Sequence, residues 1–517
     1  MSANVYIENV HAVLPKVLSM FDGDAQSHLN GVGDRQYVSW GFIDFANGTY
    51  QGAAHGLSLL IVNELLPTWL SQHECIRFIE RIFHGTKAIT RSDGSLEEAF
   101  PHEGSFCVTA LVVFDLLESL RLLKMEEAKQ SHCIEIIKPL VGFLMRSDES
   151  HGLISNHLST ASAALYLWHD MTGDESAERK GRELVDRVLS NASSEGWFLE
   201  YSGADPGYQS LCLHYLSCLD ELRPDLELRP WLEQGVRFLS YFVHPDGSFG
   251  GCYGSRRTRF YYPTCAEYLA SEVPIAARMS SFMRQSIEDR STVGLASMDA
   301  PNLIPMFNSY ARSAVLLVQG GRPVEHALPC QDAGFEGFDF PEAKLLVRAT
   351  LDHYTVIGLG LGGVVQSYSR DGGSKCIDCG TVFEDQNRHY STQTEDPEQT
   401  FYEQGGGLVI SLHPTPILSR SPAPWEFLIL RVLCMTVMRI PCLRDRIKQM
   451  MAGMLLTRKK FYPRRILRRI DLGGALATVK GGWADGKAGP ELRSGGFFKS
   501  IYMASAGYWQ KGDGEKN

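Results

Sequence analysis

The feature that most narrows the fold is a recurring loop. A polar residue followed by glycine stands just before a helical stretch at Asn47-Gly48, Asp93-Gly94, His151-Gly152, Glu195-Gly196 and Asp246-Gly247, at intervals of 46, 58, 44 and 51 residues. Each interval holds two stretches with helical hydrophobic periodicity. Phe106 to Leu123 with Ala128 to Met145 is one pair, Ser159 to Met171 with Glu175 to Ser190 another, and Tyr208 to Leu222 with Trp231 to Val243 a third. A helix pair cannot bury its apolar faces alone, so such repeats stack into a solenoid or close into a ring. The glycine-bearing loop falls at the same point of every repeat, which predicts that all these loops share one rim. The expectation is an α/α toroid from about residue 1 to 325.

After Pro323 the texture changes. Lys344 to Thr350, Tyr354 to Leu359, Gly363 to Tyr368 and Gly407 to His413 are short, rich in β-branched residues and separated by glycine turns. The pattern resumes at Arg468 to Leu472 and Ala475 to Lys480. Antiparallel sheets in a sandwich over 326–517 are expected. Two domains also suit 517 residues, beyond the size at which one core stops growing. The fold class is therefore α+β multidomain: an N-terminal toroid followed by a C-terminal antiparallel β-sandwich.

An insertion at about 425–469 interrupts the strands. Trp425 to Ile440 is apolar for about four turns, too short and too charged to span a bilayer. Arg431 to Arg469 carries twelve Lys/Arg and one acid, Asp445, a net of +11; with −10 overall, the rest of the chain carries −21. The segment reads in one of two ways. It contacts a membrane surface or a polyanion, or it is a helical insertion packed on the sandwich with a solvated basic face.

Several classes are set aside. The net charge of −10 argues against general nucleic-acid binding. The twelve cysteines are scattered, and Cys107, Cys212 and Cys218 sit in apolar helical patterns, as reduced core thiols do. Cys376 and Cys379 form an isolated C-x-x-C and read as strand residues rather than a zinc or redox site. Gly358 to Gly363 lies between β stretches with no helix after it, so a dinucleotide loop is not expected. Met1 to Glu8 has neither a basic nor an unbroken apolar region, so no secretory leader is expected. The expected location is the cytoplasm, extending to the inner face of a membrane.

The loops carry more chemistry than turns require. His102 and Glu103 lie in one and Trp197 in another, while Arg256, Arg257, Arg259 and Tyr261 crowd a third. Guanidinium groups suit carboxylate or sulfate, and rings suit sugar faces. The expected partner is an acidic polysaccharide or oligosaccharide; a solvated basic loop is the plain alternative. Asn156-His157 opens one helical stretch, and Tyr208 follows Asp205-Pro206-Gly207, 52 residues after Asn156.

A ring of helix pairs, a trailing β domain and this Asn-His…Tyr spacing resemble the polysaccharide lyases of the heparinase II/III and related alginate-lyase families. The resemblance implies a toroid plus sandwich with the active site in the cleft between them. It implies β-elimination at a uronate, with Asn156 holding the carboxylate and His157 or an arginine such as Arg257 neutralising it. Tyr208 would move the proton from C5 to the leaving oxygen. Of the β-domain histidines 353, 389 and 413, His413 is the one favoured to assist. Relatives often carry a metal in the β domain. Asp378 matches its aspartate, but Gly358 to Gly363 stands where the histidine motif would be, so no cofactor is expected.

Other readings use the same parts. Returning the proton to the opposite face of the ring would make a uronate C5-epimerase. A glycoside hydrolase would use carboxylates among Asp44, Glu98, Glu103, Glu200 and Asp205. A non-catalytic protein of exopolysaccharide biosynthesis would bind polymer through Arg256 to Arg259 and 431–469.

Overall fold

The computed structural model describes residues 4–149, 152–201, 203–319, 327–417, 423–452 and 460–494. His151 of the third loop, the 325/326 boundary and part of the basic segment lie outside them. The helical part begins α1 (Val5–Leu18), α2 (Arg35–Val38), α3 (Ala53–Val62), α4 (Gln72–Ile89), α5 (Phe106–Leu123), α6 (Glu127–Arg146) and α7 (Ser155–Thr172). It continues with α8 (Glu175–Ser190), α9 (Pro206–Leu222), α10 (Arg229–Ser240), α11 (Thr264–Leu269), α12 (Pro274–Glu288) and α13 (Ala300–Gln319).

These helices form two concentric layers. Contacts run α3 to α5, α7, α9, α11 and α13, and α13 returns to α3, so the inner ring closes. Outside it, α4, α6, α8, α10 and α12 each pack on the inner helix before them in the chain, and α1 packs on α13. Sequence explains the layering. The inner helix α9 is buried at every position from Pro206 to Asp220. The outer helix α8 buries only Ala177, Gly181, Leu184, Val185 and Val188, a single helical stripe. The inner helices α3, α5, α7, α9 and α11 each follow one of the five polar-glycine loops; α13 follows none of them. Ser95 and Ser248 fold onto Asp93 and Asp246 in matching Asp-Gly-Ser turns, whose glycines have φ of 84° and 81°.

The remaining strands are β1 (Gly337–Phe340), β2 (Leu345–Ala349), β3 (His353–Gly358), β4 (Val364–Ser369), β5 (Lys375–Asp378), β6 (Thr381–Asp385) and β7 (Arg388–Ser391). After them come β8 (Thr400–Gln404), β9 (Gly407–Leu412), β10 (Thr415–Pro416), α14 (Pro424–Met435), α15 (Pro441–Ala452), β11 (Ile466–Asp471), β12 (Thr478–Trp483) and β13 (Arg493–Ser494). Their order gives the sheets β1-β2-β3-β4-β5, β12-β11-β9-β8 and a smaller β10-β7-β6-β13, with antiparallel pairing throughout the described residues.

Strands β2, β3 and β4 of the first sheet are buried on both faces, and the period of two sorts their side chains. The row Leu346, Ile357 and Val365 faces the second sheet, closing a core with Leu408, Ile410, Leu412 and Ile470. Val347 and Val356 point the other way and join the core of the ring. Phe340 sits 5.2 Å from Phe238 and 5.1 Å from Tyr241, ring centroid to centroid. Burying such a ring contributes roughly 1.5–3 kcal/mol. Across the same joint Tyr354 Oη donates to Tyr241 O at 2.7 Å and Cys252 N to Gln366 Oε1 at 2.9 Å. The toroid and one face of the first sheet therefore share a core, and the space between the two sheets holds a second.

The insertion departs from one expectation. It leans on the rim of the ring rather than on the sandwich: Arg431 of α14 pairs with Asp44, and Arg444 of α15 lies 3.5 Å from Asp93.

Candidate active site

Three neighbouring inner helices begin side by side on the rim. Their first turns present Cys107 on α5, Asn156 and His157 on α7, and Tyr208 on α9. The start of α7 is tied to the loop before α9: Ser155 N donates to Leu199 O at 3.1 Å, and Asn156 Nδ2 donates to Glu200 Oε2 at 2.8 Å. Asp205 caps α9 by accepting from Tyr208 N at 3.1 Å. Its other oxygen accepts from Arg256 N at 2.9 Å and Thr258 N at 3.3 Å, and Thr258 Oγ1 donates to the first. One buried carboxylate thus holds the arginine loop against the start of α9. Gly207 is required by this closeness, since a Cβ there would collide with Thr258 Oγ1.

The clasp decides which arginine reaches the site. The Arg256 guanidinium lies 4.2 Å from the Tyr201 ring centroid and 5.2 Å from that of Tyr208, with Nη1 3.9 Å from Glu200 Oε1. Arg257, at φ 59°, turns away and donates through Nη2 to Gln393 O of the β domain at 3.2 Å. Tyr208 is only 7% exposed, beneath the Arg256 side chain.

Charge is poised across this cluster. Burial raises Glu200 to about 7, against the pull of Arg256 and His157 and the hydrogen bond from Asn156. Burial also pushes the Tyr208 phenol well above its ordinary value, with Arg256 drawing it back down. Burial opposes the His157 imidazolium, but hydrogen bonds and charge from Cys107 and Glu149 outweigh it and hold His157 well above its usual range. Glu149 Oε2 is 2.6 Å from His157 Nδ1. The Glu149 carboxylate at this distance favours the imidazolium form of His157.

The other sequence-nominated residues lie elsewhere. Tyr261 is 1% exposed and packs on Phe249 in the core of the ring. Trp197 is buried and donates through Nε1 to Glu195, whose carboxylate accepts from the backbone of Glu342 and Ala343 in the β domain. His102 and Glu103 belong to the loop before α5. There Glu97 accepts from His102 N at 2.7 Å, Arg91 Nη1 lies 3.0 Å from His102 Nδ1, and Glu103 accepts from Ala99 N at 2.8 Å. Arg259 is partly buried near His244 and Cys252. His413 bonds Asp396 at 3.1 Å and approaches Arg465 at 3.4 Å, all within the β domain.

Asp378 pairs with the fully buried Arg468 and accepts from Ser494 Oγ at 2.8 Å. A divalent cation there would meet a guanidinium, so these residues do not fit the metal site that the resemblance brings to mind. Among the described residues no group of three or more His, Cys, Asp or Glu side chains could hold a metal ion.

Glu149 and Tyr201 were not singled out in the sequence, and Cys107 was read there only as a reduced core thiol. Cys107 had a signal: it occupies in its helix nearly the place that His157 and Tyr208 occupy in theirs. Glu149 had none, because its loop must fold back for it to meet His157.

The chain thus combines a closed α/α toroid with an antiparallel β-sandwich. No protein-family model matches it, and no curated protein does either. Solved structures match at low identity. A xanthan lyase from Paenibacillus is 11% identical at a TM-score of 0.47, over 79% of this chain and 44% of that one. A chondroitin AC lyase from Streptomyces coelicolor A3 is 10% identical at 0.46, over 81% and 65%. A family 76 glycoside hydrolase (mannosidase) from Bacteroides thetaiotaomicron is 10% identical at 0.40, over 61% and 99%. The match spans less than half of the xanthan lyase chain and just under two thirds of the chondroitin lyase chain.

Proposed function

We propose that the protein is a lyase that cleaves uronate-containing polysaccharide or oligosaccharide by β-elimination at the Asn156–Glu200–Arg256–Tyr208 cluster. The observation that carries this reading is the guanidinium of Arg256 held over the Tyr208 ring beside a carboxyl that titrates near neutrality. The C5 proton of a uronate becomes acidic only when its carboxylate is neutralised. Arg256, the Asn156 amide and the imidazolium of His157 are the groups to do this, with protonated Glu200 able to donate as well. Tyr208 is the proton carrier. As phenolate it takes the C5 hydrogen. As phenol it returns that proton to O4 while the C4–O4 bond breaks, leaving a C4=C5 double bond and a phenolate ready for the next turnover. Tyr208 is covered in the resting state, so the Arg256 side chain must shift along the ring to admit substrate while its charge stays beside the phenol.

A hydrolase would need two free carboxyls. Asp205, next to Glu200, is committed to its clasp on Tyr208, Arg256 and Thr258. That favours elimination.

The test is the ultraviolet absorbance of an unsaturated uronate, followed with a panel of uronate polymers. Wild type should generate it, and Tyr208→Phe should lower the rate by at least about 100-fold with unchanged thermal unfolding. Equal rates for the two proteins would remove Tyr208 from the reaction. No absorbance on any polymer, with solvent deuterium entering C5, would turn the reading to epimerisation.

A further inference from the structure

Helix α14 carries its apolar stripe on the wrong side for a globular protein. Trp425, Leu428, Ile429, Val432 and Met435 recur at helical spacing and are all exposed, Leu428 at 65%. On the other side Cys434 is buried, its Sγ 3.7 Å from Met438 Sδ, and Phe427 is 59% exposed. Beside α14, on a different segment, Trp40 and Phe42 stack with ring centroids 5.7 Å apart, and Phe42 is 77% exposed. The pair of Arg431 with Asp44 ties that loop to α14. Ile440, just before α15, and Leu443 and Met450 on it are exposed as well. Two exposed apolar stretches nearly four hundred residues apart are thus tied together by a contact at a separation of 387. Large exposed apolar patches mark interaction sites.

We propose that this face rests on an anionic lipid bilayer. Charge argues for that occupant. Arg439, Arg446 and Lys460 are exposed in the same segment, while its Arg431, Arg444, Arg464, Arg465 and Arg468 are paired with acids; the segment carries net +11 in sequence on a chain whose remainder is −21. A segment that joins basic residues to an aromatic-rich apolar stripe has the composition that settles at a headgroup boundary. The acidic body is repelled by the same lipids, so the surface also fixes which side of the molecule faces them. No described helix is long and apolar enough to cross a membrane, and the contact is peripheral. This inference does not depend on the reaction at Tyr208.

The test is co-sedimentation of the full chain with vesicles of phosphatidylcholine alone and of equal parts phosphatidylcholine and phosphatidylserine. Binding is expected to the anionic vesicles only. Leu428→Glu with Val432→Glu should lower partitioning by about tenfold per substitution, because each removes an inserted apolar side chain. Both sites are exposed, so circular dichroism and thermal unfolding should stay unchanged. A second variant, Trp40→Ser with Phe42→Ser, should weaken binding independently. Failure of wild type to bind either vesicle overturns the proposal. So does binding that survives all four substitutions and disappears with salt, which would mark a site for soluble polyanions. A lipid-free dimer in sedimentation equilibrium that the glutamate variant dissolves would assign the face to a second copy of the chain.

Discussion

Glu200 offers the sharpest test of the site's electrostatics. Its carboxyl accepts from Asn156 Nδ2 at 2.8 Å, and burial lifts its pKa from 4.5 to about 7. In the unfolded chain this proton leaves near the ordinary value; in the folded protein it stays until about pH 7. Across that window the folded state holds the extra proton, so stability falls as pH rises, and above it the loss is complete. At about 1.4 kcal/mol per pH unit, the window corresponds to roughly 3 kcal/mol. Glu200→Gln keeps an oxygen for Asn156 and removes the titration. The variant should match wild type within about 1 kcal/mol near pH 4.5 and exceed it by up to roughly 3 kcal/mol near pH 8. Urea unfolding of both proteins at the two pH values gives the difference directly. A difference that does not change with pH would refute the reasoning. A variant less stable than wild type at the higher pH would show that Arg256 and His157 hold the carboxylate ionised.

Other outcomes follow from the same geometry. Asp205→Asn keeps the cap on Tyr208 N but turns an NH2 toward the backbone donors of Arg256 and Thr258; a loss of about 2–4 kcal/mol is expected, with faster amide exchange at those two residues. Unchanged exchange would remove the clasp from the account. Asp378→Asn strands the guanidinium of Arg468, which is 0% exposed, and should cost about 3–5 kcal/mol in urea unfolding. Exchanging both partners for apolar residues should recover much of that loss, and an equally unstable double variant would mean that the pair is more than a matched burial.

Legibility varied with how local the determinants were. Helix α8 falls at Glu175–Ser190 as read, because Asp174 caps it and its apolar stripe is regular. Strand β3 was placed within a residue because both its faces are buried and its sequence is β-branched. The expected strand at Ala475 to Lys480 lies instead at Thr478–Trp483. Pairing with β11 sets that register, Ile466 opposite Trp483, and an edge strand tolerates Gly481 and Gly482. The helix read as reaching Val243 stops at Ser240, since Val243 bridges to Phe249. In the site, Asn156, His157 and Tyr208 could be read because each opens a repeat. The choice of Arg256 over Arg257 could not, because a left-handed backbone at Arg257 and a clasp from Asp205 decide it.

Closure of the ring also sets a schedule for synthesis. Asn4 Nδ2 donates to Ala314 O at 3.0 Å, and Tyr6 Oη to Glu267 Oε1 at 2.6 Å across 261 residues. Helix α1 therefore waits during synthesis for the last helix of the toroid. At roughly 5–20 residues per second that delay is on the order of tens of seconds. Throughout it Tyr6, Val10, Leu14 and Val17, all buried in the finished protein, have no ring to enter. A nascent chain of this design spends its youth with an apolar face open, and the cell that makes it must shelter that face until the circle is joined.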